Sequence, residues 1–227
     1  MIGDLSYNSY KYFLGQQMNI AILNYKIGNL ASVQNALAYA SKELKHITIT
    51  IESNPYNLMR YDKIILPGVG AFGDAMEHLR ISGMQEAIME FAKSGKYMLG
   101  ICLGMQLLFE QSSEFGEHRG LGLLRGIIEP FDRAKLGALK VPHVGWNKCF
   151  LTEEGKKNTL FLGLEEEFYL YFVHSFCNRD SQNVLAQCEY GYTFSAIVGR
   201  DNIFGIQPHP EKSHKVGLQL LKNFVSL

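Results

Sequence analysis

The stretch YMLGICLGMQLLFE, residues Tyr97 to Glu110, passes from an apolar run through Gly100-Ile101-Cys102-Leu103-Gly104 into helix-forming residues. Its Gly-x-Cys-x-Gly form is that of a nucleophile elbow with cysteine in the place of serine. A sharp strand-to-helix turn strains the central residue, and a glycine two positions to either side gives neighbouring backbone room to pass. The cysteine then sits at a helix N-terminus, where free N–H groups and the positive end of the macrodipole favour thiolate over thiol. The same N–H groups, Leu103 first, can hold an oxyanion. The spacing predicts a strand over 97–101 and a helix from about Leu103 to Gln111, which places Gln106 one turn beyond Cys102 and beside it. A buried structural cysteine in an ordinary βα turn is the competing reading, and the two glycines weigh against it.

Working towards the N-terminus, strand and helix patterns alternate. Lys63 to Leu66 reads as a strand that ends in Pro67-Gly68-Val69-Gly70, and Ile47 to Ile51 as another. Asn19 to Asn24 reads as a strand followed by a helix over 29–41, with Leu30, Val33, Leu37 and Ala40 on one face. Met84, Ile88 and Phe91 mark a helix that ends near Gly95. This repetition predicts an α/β fold with a mostly parallel central sheet and helices on both faces. Towards the C-terminus the texture changes. Val141–Phe150, Phe168–Ser175, Val184–Tyr190, Phe194–Gly199 and Ile203–Ile206 read as strands, several antiparallel, before a closing amphipathic helix over about 213–225. No Pro-, Gly- or Ser-rich linker and no repeat divides the chain, so one domain is expected.

The 227 residues carry 22 Lys+Arg against 22 Asp+Glu, a formal charge of zero. That balance argues against nucleic acid as a partner, because such affinity comes largely from an excess of Lys and Arg. Charged residues at 19% and hydrophobic ones at 47% are globular usage. The first seventeen residues hold no apolar run of secretory length. Tyr97 to Phe109, the longest uncharged stretch, is too short to span a bilayer and is broken by glycines, so no membrane role and a cytoplasmic location are expected. The cysteines at 102, 149, 177 and 188 form no C-x-x-C pair, and neither a metal site nor a disulfide framework is expected; Cys177 meeting Cys188 across a hairpin is disfavoured.

A thiolate that performs acyl transfer needs a base and an orienting acid. Gln207-Pro208-His209-Pro210-Glu211 offers both. Each proline holds the preceding residue extended, and residues two apart in an extended chain point the same way, which puts His209 and Glu211 on one side. His46, His78, His118 and His214 have no such setting and read as ordinary surface or core histidines. The loop Gly68-Val69-Gly70, directly after a strand, turns backbone N–H groups into the sheet's carboxyl edge, where open α/β sheets bind ligands; as a phosphate loop it lacks the following G-K-[ST]. His174 and Ser175 in YFVHSF, and His143, Trp146 and Asn147 in PHVGWN, are further polar candidates for which well-packed strand ends are as good a reading.

Taken together these residues resemble the class I (triad) glutamine amidotransferases, most closely the glutaminase subunits of imidazole glycerol phosphate synthases. The resemblance runs from Met18 onward through GNLASVQNAL (28–37), LPGVGAFGDAM (66–76), GICLGMQLLFE (100–110), GLGLL (120–124), VPHVGWN (141–147), YFVHSF (171–176) and QPHPEKS (207–213). It implies the three-layer sandwich of that family over 18–227, with 1–17 an extension expected to be disordered. It implies that Cys102 attacks the carboxamide of L-glutamine, that His209 moves the proton and that Glu211 orients His209. Leu103 and the backbone of Gly68, Val69 and Gly70 would hold the oxyanion. Gln106, Glu110 and the backbone of His174, Ser175 and Phe176 would bind glutamine. It further implies no cofactor, and a heterodimer with a (βα)₈-barrel cyclase/synthase subunit that receives the ammonia for histidine biosynthesis. Two positions depart from the family pattern: Asn24-Tyr25-Lys26 stands where Asp-Tyr-Gly is usual, and Pro208 where an aromatic residue is usual. Three rivals follow: a paralogous glutaminase feeding a synthase that modifies surface sugars, a degenerate subunit that only binds its barrel, and a free cysteine hydrolase.

Overall fold

The computed structural model describes residues 17–227, so the expectation for 1–17 lies, but for Gln17, outside the described residues. Thirteen strands are found there: β1 Met18–Leu23, β2 Ile47–Glu52, β3 Lys63–Gly68, β4 Tyr97–Cys102, β5 Phe109–Ser112, β6 His118–Arg119, β7 Leu124–Pro130, β8 His143–Leu151, β9 Glu167–His174, β10 Phe176–Cys177, β11 Val184–Tyr190, β12 Tyr192–Arg200 and β13 Ile203–Ile206. Nine form one sheet in the order β2-β1-β3-β4-β13-β12-β11-β8-β9. The first five run parallel and the remaining four continue antiparallel. A small second sheet has the order β10-β7-β5-β6.

Both faces of the inner parallel strands β1, β3, β4 and β13 are buried, because these strands are apolar at nearly every position, whereas the edge strand β2 alternates with threonines and stays partly exposed. Ile20, Ile22 and Leu99 face one cluster with Val33 and Leu37 of the helix Leu30–Ala40 and Leu220 and Phe224 of the helix His214–Ser226. Ala21, Leu23 and Met98 face the other, with Leu79 of the helix Phe72–Ile81 and Ile88 of the helix Met84–Lys93. Helix, sheet and helix are thus the three layers of the expected α/β sandwich, with the antiparallel portion in the C-terminal half. Asn29 caps the first of these helices through a bond from Ser32 N–H, 3.4 Å.

The helix expected over Leu103–Gln111 is shorter. It ends at Leu107, and Phe109–Ser112 is a strand. The carbonyls of Leu107, Leu108 and Phe109 accept from the N–H groups of Leu121, Leu123 and Gly122 instead of from a next helical turn. Long-range pairing thereby overrides local helix preference. The helix Phe72–Ile81 and the second sheet do not stand out in the sequence, the helix because its start merges with the glycine loop before it. All four cysteines are free thiols, and the one opposite Cys188 across the antiparallel ladder is Cys149, not Cys177. Among the described residues no helix is long and apolar enough to cross a membrane, and no cluster of three His, Cys, Asp or Glu could hold a metal ion.

Candidate active site

Three chain segments converge where the parallel strands end. Gly68, the last residue of β3, pairs with Cys102, the last of β4, and Ile101 pairs with Ile206 at the end of β13, from which Gln207 to Glu211 continue. This is the carboxyl edge at which open α/β sheets bind ligands.

Cys102 has φ 54° and ψ −113°, the strained turn read from its flanking glycines. A Cβ on Gly100 would lie 2.5 Å from the Gly104 carbonyl oxygen, and one on Gly104 would run into the Leu66 carbonyl oxygen. The elbow therefore closes only with glycine at both positions. His209 interacts with Cys102 on one side, and on the other its Nδ1 stands 2.8 Å from Glu211 Oε1, with both side chains buried. Burial opposes protonation of His209, but its interactions with Cys102 and Glu211 outweigh burial and lift it to about 9. An imidazolium beside the sulfur at neutral pH is the charge arrangement that a nucleophilic cysteine needs. The loop is held from behind: His209 N–H donates to Tyr171 O, Ser213 Oγ donates to His209 O, and Tyr171 N–H donates to Ser213 Oγ.

Cys102 opens onto a cleft of about 380 Å³. Of the residues singled out in the sequence, Val69, Gly70, Leu103, Gln106, His174, Ser175, Phe176 and His209 line it with Cys102. Gly68 lies beneath the cleft floor, packed against Tyr25, Leu103 and Gly104. Glu211 stands behind His209 and faces a separate hollow beside the helix Leu30–Ala40.

Glu110 is not brought to the cleft. It is exposed on β5, and its Oε2 accepts from Gly126 N–H at 3.0 Å. The role that the resemblance implied for Glu110 is thus not met at the cleft, since the chain leaves the helix at Leu107 and carries Glu110 onto β5. A different carboxylate takes the place at the cleft: Glu114, half-buried, accepting from Phe72 N–H at 2.7 Å and raised above the usual carboxylate range by its burial. Nothing in the local sequence marks it, since its position depends on the unforeseen β5 turn. Pro142, Val173 and Lys212 also line the cleft; each lies within a motif quoted from the sequence, VPHVGWN, YFVHSF or QPHPEKS, but none is singled out there as a site residue.

Gln106 is beside Cys102, as its spacing required, but its amide nitrogen is already committed, donating to Phe176 O at 3.1 Å and to Gln207 Oε1 at 3.0 Å. Only its oxygen remains for a ligand. His174 is committed as well. The Phe176 carbonyl 2.8 Å from its Nδ1 requires the proton there, which leaves Nε2 to accept from His143 Nδ1 at 3.0 Å. Burial pushes His174 down to about 3 and His143 to about 4, so the pair is neutral and shapes the Val173–Phe176 segment rather than transferring protons. Trp146 is half-exposed and stacks on His214 with ring centres 5.0 Å apart, and Asn147 donates to Glu189 O.

The family description "Glutamine amidotransferase class-I" matches residues 22–227. The chain is 55% identical to the imidazole glycerol phosphate synthase subunit HisH of Helicobacter hepaticus, over 93% of this chain and 99% of that one. It is 57% identical to the protein of the same name from Wolinella succinogenes, over 92% and 99%. Among solved structures it is similar to the glutaminase domain of CTPS from Trypanosoma brucei, with a TM-score of 0.64 and 15% identity over 92% of this chain and 91% of that one. PurLQS from Thermotoga maritima gives 0.63 and 19% over 92% and 98%. The structural neighbours speak to the fold alone, while the family match and the sequence relatives span nearly all of the described residues, and on these grounds the chain belongs to the class I glutamine amidotransferases.

Proposed function

We propose that residues 18–227 form the glutaminase subunit of an imidazole glycerol phosphate synthase, acting in the cytoplasm as a heterodimer with a (βα)₈-barrel synthase subunit in histidine biosynthesis. The observation that carries the chemistry is the buried Cys102–His209–Glu211 chain opening onto a cleft of small-molecule size. Identity above one half to proteins named HisH, over almost their whole length, supports the pathway.

In this reading Cys102 Sγ forms a bond to the side-chain carbonyl carbon of L-glutamine. The oxygen takes the charge, facing Leu103 N–H and the backbone of Val69 and Gly70. His209 passes its proton to the departing amide nitrogen, the C–N bond breaks, and ammonia leaves a thioester. His209 then takes a proton from water, whose oxygen attacks the thioester, and glutamate and the thiol are released. Glu114 supplies a carboxylate for the substrate's α-ammonium group, and the free oxygen of Gln106 accepts from the substrate.

The face around the cleft supports the partner. Val173 lines the cleft and pairs with Val144, and Tyr171 pairs with Trp146, so the exposed Val144 and Trp146 continue the cleft wall outwards. Exposed aromatic and aliphatic side chains at a rim are what an obligate partner covers. Glutamate release with and without the nucleotide-loaded barrel partner, beside Cys102→Ala, tests the proposal. Release that the loaded barrel stimulates and the substitution abolishes is expected. Release indifferent to this barrel overturns the pathway, and release indifferent to Cys102 overturns the chemistry.

A further inference from the structure

Tyr25 lies on the loop after β1, away from the cleft lining and outside the triad, and only 2% of it is exposed. Its hydroxyl donates to the Pro67 carbonyl at 2.6 Å. Pro67 is the penultimate residue of β3, immediately before the Gly68 that pairs with Cys102. The same hydroxyl closes the space around Gly68. A Cβ there would lie 2.8 Å from the Tyr25 oxygen, 2.9 Å from Gly104 N and 2.9 Å from Leu103 Cβ. The phenol oxygen thus sits against the seam between the two backbone segments that would face an oxyanion, one leading into Val69 and Gly70 and the other beginning at Leu103.

Those segments differ in what holds them. Leu103 is fixed by its helix and by burial. Val69 and Gly70 lie beyond the last ladder pair of β3, Val69 is exposed, and Gly70 has φ +97° with open space about it. Sheet pairing does not aim their N–H groups, so their direction depends on the peptide plane from which they depart.

We infer that Tyr25 is a positioning residue for the oxyanion-binding backbone, its hydroxyl pinning the Pro67 carbonyl so that the Gly68–Gly70 segment departs from a fixed peptide plane at the end of β3. The inference rests on the acyl-transfer reading of Cys102. An N–H aimed at the charge that develops on the substrate oxygen stabilises the transition state, and one whose point of departure is loosened loses part of that effect in the transition state only. Burial first, and then the neighbouring Cys102, raise the phenol well above its ordinary range, so the donor proton is retained over the working pH.

The test compares wild type, Tyr25→Phe and Tyr25→p-aminophenylalanine, the last restoring a donor, alone and with the barrel partner, against a Cys102→Ala blank. Three rates are read: glutamate release, hydrolysis of p-nitrophenyl acetate, and alkylation of Cys102 by iodoacetamide, a direct displacement that forms no oxyanion. In Tyr25→Phe, kcat for glutamate and for the ester falls by about tenfold or more, since a misplacement of about 1 Å can cost on the order of 100-fold. KM and alkylation stay within about twofold, and the amino variant recovers most of the loss. Wild-type rates in Tyr25→Phe, an equal loss in alkylation, no recovery in the amino variant, or a Tyr25→Phe chain that does not fold would each overturn it. If wild type releases no glutamate above the blank, the glutaminase reading fails, and the ester rates alone still decide the role of Tyr25.

Discussion

His209 Nδ1 and Glu211 Oε1 face each other at 2.8 Å across a single proline, and Glu211 Oε2 is buried with no hydrogen-bond partner among the described residues. No other bond to that second oxygen competes for the carboxylate's charge, which therefore acts mainly on His209. Pro210 makes the pairing local: it keeps His209 extended and begins the short 3₁₀ turn Pro210–Lys212 that carries Glu211.

Glu211→Gln keeps the shape and removes the charge. His209 then falls below about 9, because the Glu211 contribution that helped offset burial is gone while that of Cys102 remains. We expect kcat to fall about 100-fold, the lower end of acid–base contributions because His209 itself is retained, and the alkaline limb of kcat/KM to move from near pH 9 to lower pH. A pH–rate profile checks this, and an alkaline limb left in place would contradict it.

The same group links stability to pH. His209 is raised in the folded state, so its contribution is fully present below about pH 6.5 and is lost as pH rises through about 9. Buried Lys63 has the opposite sign. Burial lowers it to about 7, so its cost is greatest below about pH 7 and is relieved as pH approaches 10.5. Denaturant unfolding between about pH 6.5 and 9.5 separates them: the Glu211→Gln chain loses roughly 2 kcal/mol less than wild type over this window.

Lys63→Met removes the rising component while preserving the apolar stem. Its Nζ donates to the carbonyls of Phe224 and Val225, at 2.9 and 2.7 Å, near the end of the last helix. Stability of this variant should fall more steeply than wild type between about pH 7 and 9.5, because only the His209 component remains. A parallel pair of curves would show that Lys63 stays charged.

Gly104→Ala should cost about 3 kcal/mol or more, because the new Cβ runs into the Leu66 carbonyl on the adjacent strand, where neither backbone can yield. For a chain of this length that is a fall of about 6 to 12 °C in Tm, read by calorimetry. Gly70→Ala meets no neighbour within 4 Å but must hold φ +97°, so its smaller cost of about 1–2 kcal/mol reports backbone strain alone.

Trp146→Ala should weaken binding of the barrel partner about tenfold or more, in the range of an aromatic interface anchor. Tm and iodoacetamide alkylation of the isolated chain should change little, since Trp146 is half-exposed and does not itself line the Cys102 cleft. Unchanged affinity by titration calorimetry would place the partner on another face.

Where each strand and helix partner was encoded in its own periodicity, the reading from sequence held. Leu30, Val33 and Leu37 do face one cluster, and β13 follows its apolar run to the residue. It failed at Leu107–Ser112, where a good helical pattern is captured by cross-strand bonds to residues 121–128, and with it failed the placement of Glu110.

By itself the sequence singled out Cys102, His209 and Glu211, because local backbone chemistry marks them: glycines two residues either side of Cys102, and prolines either side of His209. Only the tertiary structure decided what surrounds them. Glu114 stands at the cleft in place of Glu110 through an unforeseen turn. Gln207 beneath Gln106, His143 behind His174 and the Tyr25 hydroxyl under Pro67 are meetings of residues 31 to 101 positions apart. Such contacts depend on strand order and register, which are settled by how the whole sheet buries its two apolar faces and which no short stretch of chain specifies.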